Sequence, residues 1–438
     1  MHQSDAPDIV VVGGGLIGVL TAVELADRGA RVVILEKDDI GFEQSGRSVA
    51  AINLPGGDVN AGPRSMLRLT AEQWSGFEDR WGCGIDLNDE GWYIVVADAE
   101  DEAWLEIERA TWHSTAGFSE SQIMDAEAAR KRFPQLEGPF LALDARHGGH
   151  VDAVMVMNGL RQVASRLGIE IRCGTMATGF QKRGEAITAV ETNAGSTACG
   201  TVVVAAGLWS PYLCDQLGLH IPMQRVRAPA VETGPLPPNT IPGFLRGATF
   251  GARQNRNGTI RVTGGYRFSA MLHDLSLNDL RDLRIWGPAL WQNRKDVSFR
   301  FDPAGLKAEI SSAIARRRAG EGQTVVPQGY QPPSNPRDRY SQLRALGELI
   351  PAVRGARVHR SFSGVMDLTP DLQPVIGRIP ELENAYVATG FSGHGYMYGP
   401  GACYALSQMI VEGATTIDLE SYRPERLRTK MKMREQIF

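Results

Sequence analysis

The chain has 438 residues, with 46 lysines and arginines against 50 acidic residues and a net charge of −4 at pH 7. This slightly acidic balance offers no basic surface for nucleic acid, and no run of about eighteen apolar residues is present to span a membrane. The hydrophobic fraction of 43% is that of a soluble globular protein. The length exceeds one ordinary core and predicts two domains, which can be interleaved along the chain.

The cysteines and the first residues indicate the compartment. The five cysteines are an odd number, scattered and without a CxxC pair, at Cys83, Cys173, Cys199, Cys214 and Cys403. This pattern argues for a reducing compartment and against a zinc site, so we predict no bound metal. The start of the chain, MHQSDAPD, is polar and acidic, unlike a signal or transit peptide. We therefore expect a cytoplasmic protein.

A dinucleotide-binding βαβ pattern occupies Asp8 to Glu36. Ile9 to Val12 is a short apolar run typical of a buried parallel strand. Gly13, Gly15 and Gly18 follow with the GxGxxG spacing. In this motif the first glycine permits a tight turn, the second lets a pyrophosphate approach the backbone, and the third lets the helix pack on the strand.

The second half of the pattern completes the prediction. Apolar residues recur at helical spacing as far as Gly29, and Arg31 to Leu35 is predicted as a second strand that ends in Glu36. A carboxylate there can accept both ribose hydroxyls and repels the phosphate of NADP, so the ligand is FAD or NAD. We predict cofactor contacts at Gly13, Gly15, Leu16, Ile17, Gly18, Glu36 and Lys37.

A polar, glycine-rich loop, Gly41 to Asp58, is predicted after this unit, poor in helix and strand signals. Ser45 offers a hydroxyl and Arg47 a fork of donors to phosphate or to a ring system, and Gly46 allows close approach. The alternative is a surface loop with a solvated arginine. Next to the glycine fingerprint we favour cofactor contacts at Ser45, Gly46, Arg47 and Ser48.

A second strand-to-helix turn is predicted in the middle of the chain. The elements before it are helices at Ser65–Gly82 and Val151–Leu167 and strands at Trp92–Val96 and Ile169–Arg172. The buried strand Thr201–Ala205 then runs directly into glycine and a helix start, where backbone amides can meet the ligand. The residues alone do not separate this interpretation from a plain turn. The predicted contacts are Ala206, Gly207 and Trp209.

The third cluster lies near the C-terminus. A short strand, Tyr386–Ala388, precedes the glycine-rich loop Thr389–Gly395, and a helix is predicted to start near Pro400. Such a loop can wrap a flat aromatic ring with main-chain groups, which predicts contacts at Gly393, His394, Gly395, Tyr396 and Met397. His394 has three interpretations: a catalytic base, a dipole against the ring, or an ordinary loop histidine. The first is the least favoured, since no partner nucleophile or metal is in view.

These motifs, in this order, resemble the superfamily of FAD-dependent D-amino acid, glycine and sarcosine oxidases. They are GGGLIG with Glu36, QSGRS, VVVAAGLWS, RQNRNGTIRVTGGY, TPDLQPVIG and GFSGHGYMYGPG, and they cover nearly the whole chain. The resemblance implies an α/β (α+β) fold with a discontinuous Rossmann-like FAD-binding domain at 1–80, 145–220 and 345–438. A mixed-sheet substrate domain at 81–144 and 221–344 would cover the flavin, with a helical insertion near 275–319.

The resemblance also implies the reaction. Enzymes of this superfamily oxidise the C–N bond of an amino acid or secondary amine by hydride transfer to flavin N5, and the imine product is hydrolysed. Binding geometry supplies most of the catalysis. The reaction needs no covalent nucleophile and not necessarily a general base.

Departures from the family pattern refine the prediction. Relatives that attach FAD through a cysteine carry it where this chain has Gly364, so non-covalent FAD is predicted, with Gly364 as a contact. Thr263 stands where they place a lysine that helps oxygen react, which leaves the electron acceptor open. The anchors for a substrate carboxylate are replaced by Met366 and Met397.

Two further segments, at Asp367 and at Arg253 and Gln254, are more similar to flavoprotein subunits of heteromeric sarcosine oxidases and of opine or proline dehydrogenases. The resemblance therefore leaves a second subunit open as a partner. The charge balance predicts no nucleic acid partner.

A cation is still needed to bind an acid substrate. The candidates are Arg47, Arg227, Arg253, Arg267 and Arg360. For any one of them the alternative is a surface ion pair of little energetic worth. Arg267 follows Tyr266 where relatives carry a substrate-contacting histidine, so this pair is the first prediction. We predict catalytic roles for Tyr266, Arg267, His394 and Tyr396, and substrate contacts at Arg47, Arg253, Arg360, Met366, Met397 and Tyr398.

Alternatives remain for the function and for one segment. The first alternative function is a flavin enzyme of another reaction type, acting on a hydroxy acid or a biosynthetic intermediate, because fold does not fix chemistry. The second is an electron-transfer subunit of a heteromeric dehydrogenase. The helix-rich segment Leu275–Ala319 is interpreted as a lid, a docking face, a membrane contact or a solvated helix pair.

Overall fold

The computed structural model describes residues 7–53, 63–97, 99–115, 121–138, 140–145, 148–265, 272–274, 281–292, 298–300, 303, 306, 309–310, 326–332, 334 and 336–428. Its strands are β1 (Ile9–Val12), β2 (Val32–Leu35), β3 (Ala51–Asn53), β4 (Trp92–Val96), β5 (Gln122–Met124), β6 (Leu141–Ala145), β7 (Gly148–His150), β8 (Glu170–Arg172), β9 (Ala177–Arg183), β10 (Ala186–Thr192), β11 (Gly195–Ala198), β12 (Thr201–Val204), β13 (Gln224–Thr233), β14 (Phe244–Arg246), β15 (Gly251–Gln254), β16 (Ile260–Thr263), β17 (Leu272–Asp274), β18 (Ser298–Arg300), β19 (Val358–Leu368), β20 (Val375–Arg378) and β21 (Ala385–Thr389). The α-helices are α1 (Leu16–Asp27), α2 (Gln44–Arg47), α3 (Pro63–Ser75), α4 (Phe77–Trp81), α5 (Ala99–Thr115), α6 (Ala126–Arg132), α7 (Ala153–Arg166), α8 (Ser210–Gln216), α9 (Leu283–Gln292), α10 (Pro336–Leu349) and α11 (Gly395–Glu412).

A six-stranded sheet forms the centre of the first layer, in the order β20-β21-β12-β1-β2-β8. The strand β1 pairs in parallel with β2 on one side and with β12 on the other. Both faces of β1 and β2 are buried, which explains why these strands are continuous apolar runs. Helices α1, α7 and α11 pack on one face, and β9–β11 with α8 cover the other. The predicted α/β class and the predicted βαβ unit are confirmed.

A ten-stranded mixed sheet forms the second layer, in the order β18-β17-β13-β16-β15-β14-β4-β6-β5, with β19 paired to β13. Its outer face is apolar and buries Val231, Ala252 and Val262 against Leu346 and Ile350 at the end of α10. The other face carries the charged side chains Glu232, Arg253 and Arg261 together with the apolar Trp92 and Ile94.

The C-terminal part of the chain contributes strands to both sheets. The predicted first domain includes all residues from 345 onwards, whereas β19 pairs with β13 of the ten-stranded sheet from Gln224↔Leu368 to Thr233↔Val358. The strands β20 and β21, by contrast, belong to the six-stranded sheet. The domain boundaries themselves stay a prediction.

The prediction that the last helix starts near Pro400 is wrong, because α11 begins at Gly395 and Pro400 lies inside it. A proline inside a helix leaves the carbonyl of the residue four positions earlier without its N–H donor. Here that residue is Tyr396, and its carbonyl accepts a hydrogen bond of 2.8 Å from the indole Nε1 of Trp74. The long-range partner compensates for the missing bond, which no local pattern shows.

The segment predicted as a loop after β2 also contains short elements, namely α2 and β3. The strand β3 pairs antiparallel with β7. Of the predicted helical insertion, α9 lies in the described residues, and its Trp286 is buried against Val226, Met366 and Leu368. None of the helices in the described ranges combines the length and the apolar character needed to cross a bilayer.

Candidate functional site

An elongated cavity lies at the carboxyl ends of the parallel strands of the six-stranded sheet. Val12 ends β1, Leu35 ends β2 and Ala205 follows β12, and all three line it. This is where open α/β sheets bind ligands. The predicted cofactor residues that line the cavity are Gly13, Gly15, Leu16, Ile17, Glu36, Lys37, Ser45, Ser48, Ala206, Gly207, Trp209, Gly393, Gly395 and Tyr396.

The three glycines of the GxGxxG motif have different structural roles. Gly13 has φ +116°, and a Cβ there would lie 2.3 Å from the Ala205 carbonyl oxygen. A Cβ at Gly18 would lie 1.9 Å from the Gly13 carbonyl oxygen, so this glycine lets α1 pack on β1. A Cβ at Gly15 would meet, among the described residues, only Ser45 Oγ at 3.1 Å, and Gly15 lines the cavity. The backbone at Gly15 is therefore open to a ligand.

The N-terminus of α1 faces the cavity with donors that its own helix does not use. Gly15 is the N-cap and has no side chain to cap the helix. The amide of Leu16 donates to Ser45 Oγ at 2.8 Å. The Ser45 hydroxyl, which belongs to α2, therefore lies at the N-terminus of α1. A phosphate oxygen is favoured in this position by the amides and the helix dipole.

Glu36 lies at the end of β2. Its carboxylate accepts the amides of Gly14 at 2.6 Å and Asp38 at 2.7 Å, which hold it in one orientation. Burial raises its pKa above the ordinary value, and the two amides oppose that shift. A carboxylate with an enclosed, fixed geometry next to the glycine turn matches the ribose contact that the sequence predicted.

The wall beyond Glu36 is built from Lys37, Glu43 and Trp209. Lys37 Nζ forms an ion pair of 2.7 Å with Glu43 and lies 5.7 Å from the centre of the Trp209 ring. The indole Nε1 of Trp209 donates to Glu43 at 3.0 Å. These contacts join β2, the start of α2 and the turn after β12 around one side of the cavity.

The far end of the cavity lies between β19 and the loop before α11. Val365 and Asp367 of β19 line it, opposite Phe391, Gly393 and Gly395. Burial raises the pKa of Asp367 to about 6, while hydrogen bonds from backbone amides such as that of Gly390, at 3.0 Å, oppose the shift.

Tyr396 connects this end to the helix α2. Its hydroxyl donates to the Ser45 carbonyl oxygen at 2.9 Å, and burial raises the pKa of the phenol. Because the Ser45 hydroxyl also accepts the amide of Leu16, the first turn of α11 and the phosphate-facing turn are linked through one residue.

Several predicted residues lie away from the cavity lining. Gly18 packs inside the βαβ unit, Gly46 and Arg47 face a neighbouring cleft with Arg360, and a Cβ at Gly364 would lie 2.0 Å from Gln44 Oε1. Met397 is buried with Trp92 and Phe244, and Met366 packs against Trp286. His394 precedes α11 as its N-cap, with its ring edge-on to that of Tyr398. Tyr266 and Arg267 lie outside the described residues.

A row of charged side chains crosses the ten-stranded sheet beside these residues. The pairing of β19, β13, β16 and β15 places Arg360, Glu232, Arg261 and Arg253 side by side. Glu232 receives Arg261 at 2.7 Å and Arg360 at 3.3 Å. Arg261 also donates to the Ser48 carbonyl oxygen at 2.8 Å, so this row ties the sheet to the chain after α2.

Arg253 is fully buried at the end of this row. It lies 3.6 Å from Asp152, the N-cap of α7, and burial lowers its pKa to about 10. Arg227, also buried, pairs in register with Leu272 of β17.

Other residues that line the cavity were not found from the sequence. Met176 and Ala177 follow β8, and the rule that ligands meet the carboxyl ends of parallel strands could have found them. Val326 reaches the cavity from a distant segment, and no local signal marks it. Gln44 opens the QSGRS motif, and Phe42 and Glu43 directly precede it, so extending the predicted contacts along the motif could have found all three.

The family model described as FAD dependent oxidoreductase matches residues 8–409. The chain belongs to this family. Mitochondrial dimethylglycine dehydrogenase of Rattus norvegicus is 25% identical over 434 residues, covering 96% of this chain and 45% of that protein. Sarcosine oxidase subunit beta of Rhizobium meliloti is 23% identical, covering 96% of this chain and 88% of that protein. The solved L-amino acid deaminase of Proteus myxofaciens has a TM-score of 0.81 at 20% identity, covering 97% of this chain and 94% of that one.

These comparisons confirm the predicted family, and with it FAD as the cofactor. The chain spans about 45% of the length of the dimethylglycine dehydrogenases that it matches. The residues fit FAD: the open backbone at Gly15 and the fixed Glu36 carboxylate suit the dinucleotide, and the cavity continues to β19 and the loop before α11.

Proposed function

We propose that the protein oxidises the C–N bond of an amino acid or a secondary amine, with FAD as the acceptor of two electrons. The observation that carries the proposal is the continuous cavity from Glu36 to Asp367, which joins a dinucleotide site to one face of the ten-stranded sheet. The names of two relatives, dimethylglycine dehydrogenase and sarcosine oxidase subunit beta, refer to N-methylated glycines, which supports this substrate class.

The chain's own residues act by binding and orientation. The amides at the start of α1 and the Ser45 hydroxyl would hold the pyrophosphate, and Glu36 would hold the ribose. Val365, Phe391 and Gly393 would enclose the ring end. FAD, when bound, supplies N5 as a hydride acceptor.

The substrate must bind as a neutral amine with the hydrogen of its α-carbon directed at the acceptor. The C–H bond breaks with its electron pair, the nitrogen lone pair forms the C=N bond, and the nitrogen then loses a proton to solvent if it carries one. Water hydrolyses the imine to a carbonyl compound and an amine. Positioning alone contributes several kcal/mol to such a step.

The substrate anchors remain predictions. Tyr266 and Arg267 follow β16, and β16 ends at Thr263, which is half-buried and donates to the Pro229 carbonyl oxygen at 3.2 Å. A threonine in this position provides no positive charge to stabilise reduced oxygen, so we propose an electron acceptor other than oxygen.

A second candidate is a subunit of a heteromeric dehydrogenase. The relative from Rhizobium meliloti is named as a subunit, and the chain covers 88% of it. Light scattering of the purified chain, with turnover measured with and without proteins that co-purify, tests this candidate. Full turnover by the isolated chain would contradict it.

Anaerobic reduction of the bound flavin tests the proposed function. The panel contains D- and L-amino acids, N-alkyl glycines, cyclic imino acids, opines and 2-hydroxy acids, and the visible absorption of the flavin is followed. We expect bleaching by at least one amine and slow return of the colour in air. Bleaching by hydroxy acids alone, in folded yellow protein, would refute C–N oxidation.

A further inference from the structure

A second cleft lies on the other side of α2, separate from the dinucleotide cavity. It has a volume of about 560 Å³, within the range of small-molecule sites. Gln44 and Ser45 line the cavity, whereas Gly46 and Arg47 line the cleft, and Phe42 lines both. The helix and the loop before it therefore form the wall between the two.

Two arginines give this cleft its charge. Arg47 and Arg360 both line it, and among its described lining residues there is no aspartate or glutamate. Burial is the main cause that lowers the pKa of Arg47; the carboxylates of Glu43 and Asp38 oppose this shift, and the positive charge of Arg360 adds to it, so the two guanidinium groups are close enough to repel. Two like charges in a lining that contains no carboxylate favour an anionic ligand.

The environment of Arg47 supports this role. Its guanidinium donates to the Ser363 carbonyl oxygen at 3.3 Å and lies 5.3 Å from the centre of the Phe42 ring. Within the described part of the chain it has no ion-pair partner. These contacts fix the side chain, Glu43 and Asp38 act on its charge without a direct ion pair, and part of its donor fork is left for an oxyanion.

The ion pair of Arg360 neutralises its positive charge only in part. Its partner Glu232, at 3.3 Å, is shared with Arg261, which lies closer at 2.7 Å. Two guanidinium groups against one carboxylate leave a net positive charge beside the cleft. The side chain of Arg360 is 47% exposed and lines the cleft.

The remaining lining defines the kind of ligand. Ser334 and Ser361, whose hydroxyl oxygens are 2.9 Å apart, and the amide of Asn158 offer neutral hydrogen-bonding groups. Ile40, Met157 and Phe362 form an apolar wall. We propose that this cleft binds a small organic anion, with a carboxylate or phosphate held by Arg47 and Arg360 and an apolar body against Phe42 and Phe362.

Calorimetric titration of the FAD-loaded protein tests the proposal, with phenyl phosphate and benzoate as probes and inorganic phosphate as the oxyanion alone. At least one aromatic probe is expected to bind more tightly than inorganic phosphate, and the preferred one tells a phosphate ligand from a carboxylate. Arg47→Gln and Arg360→Gln are each expected to weaken binding by about tenfold. Arg344→Gln, which removes an exposed arginine on α10, serves as the matched control and is expected to leave binding unchanged.

The flavin spectrum separates this site from the substrate site. Binding in the second cleft is expected to leave the visible absorption of the flavin and its reduction by amines unchanged. The absence of binding, or binding that both arginine variants leave intact, would overturn the proposal. Binding that depends on the arginines but competes with an amine substrate would also overturn it, since the pair would then belong to the substrate site. Because Arg360 is half-exposed, its variant keeps the test valid if Arg47→Gln does not fold.

Discussion

Replacing Gly15 with alanine separates cofactor binding from folding. The N-cap backbone at Gly15 has φ −75° and ψ 179°, which any L-residue adopts, so the substitution brings no backbone strain. The new methyl group would meet Ser45 Oγ at 3.1 Å, and a rotating hydroxyl can relieve this contact. We therefore expect the free energy of unfolding of the unliganded variant to lie within about 1 kcal/mol of that of the parent.

FAD binding is expected to respond much more strongly. The methyl group would stand on the cavity side, where the pyrophosphate approaches the helix N-terminus. Hydrogen bonds to a charged group contribute about 1.5–3 kcal/mol each, so loss of one raises the dissociation constant of FAD roughly 10- to 100-fold. Quenching of flavin fluorescence during titration of apoprotein measures this constant.

The matched variant is Gly18→Ala, whose methyl group would lie 1.9 Å from the Gly13 carbonyl oxygen. We expect it to destabilise the apoprotein itself, by about 3 kcal/mol or more, because backbone would have to move. If the Gly15→Ala protein folds and binds FAD within threefold of the parent, the assignment of this turn to the pyrophosphate is wrong.

Three further predictions test other parts of the account. Glu36→Gln removes the charge that faces the ribose and is expected to weaken FAD binding by about 10- to 100-fold in the same titration, and an unchanged constant would contradict the ribose contact. His220 lies between Asp215 at 3.3 Å and Asp282 at 2.7 Å, and hydrogen bonds to these carboxylates raise its pKa to about 9. The protonated imidazole therefore contributes about 1–2 kcal/mol to the free energy of unfolding. This contribution is fully present below pH 6.5 and is lost as the pH rises through 9. Chemical unfolding should therefore show a loss of stability over this pH interval that is absent in His220→Gln. Equal pH profiles of the parent and the variant would refute the pairing of His220 with the two aspartates. Because Gly364 replaces the cysteine of covalent relatives, acid precipitation should release all FAD into the supernatant, and flavin retained on the precipitate would show a covalent bond.

The parts of the fold that local pattern determines could be predicted from the sequence. The strand β1, the turn at Gly13 and Gly15 and the carboxylate at Glu36 are consecutive features of one unit, and the structure places all of them at the cavity. The sequence pattern predicts local structure less well where a residue far away in the sequence determines it. The start of α11 at Gly395 depends on the indole of Trp74, more than 300 residues away, which serves the carbonyl that Pro400 leaves without a donor.

The same reason limits the prediction of side-chain roles. The sequence predicts Arg47 and Arg253 as candidates for a substrate cation because each lies in or near a motif. Strand pairing buries Arg253 beside Asp152, and α2 turns Arg47 away from the dinucleotide cavity. Val326 lines the cavity from a segment without any motif, where it packs in one cluster with Trp209 and Val365.

The most direct test of the central claim is a single turnover with an α-deuterated substrate. An amine found to bleach the flavin is mixed anaerobically with the FAD-loaded protein, and both flavin reduction and the carbonyl product are measured. We expect one carbonyl product per flavin reduced and slower reduction with deuterium at the α-carbon. Flavin reduction without a carbonyl product, or without an isotope effect on a reduction step shown to be limited by chemistry, would contradict C–N oxidation by hydride transfer.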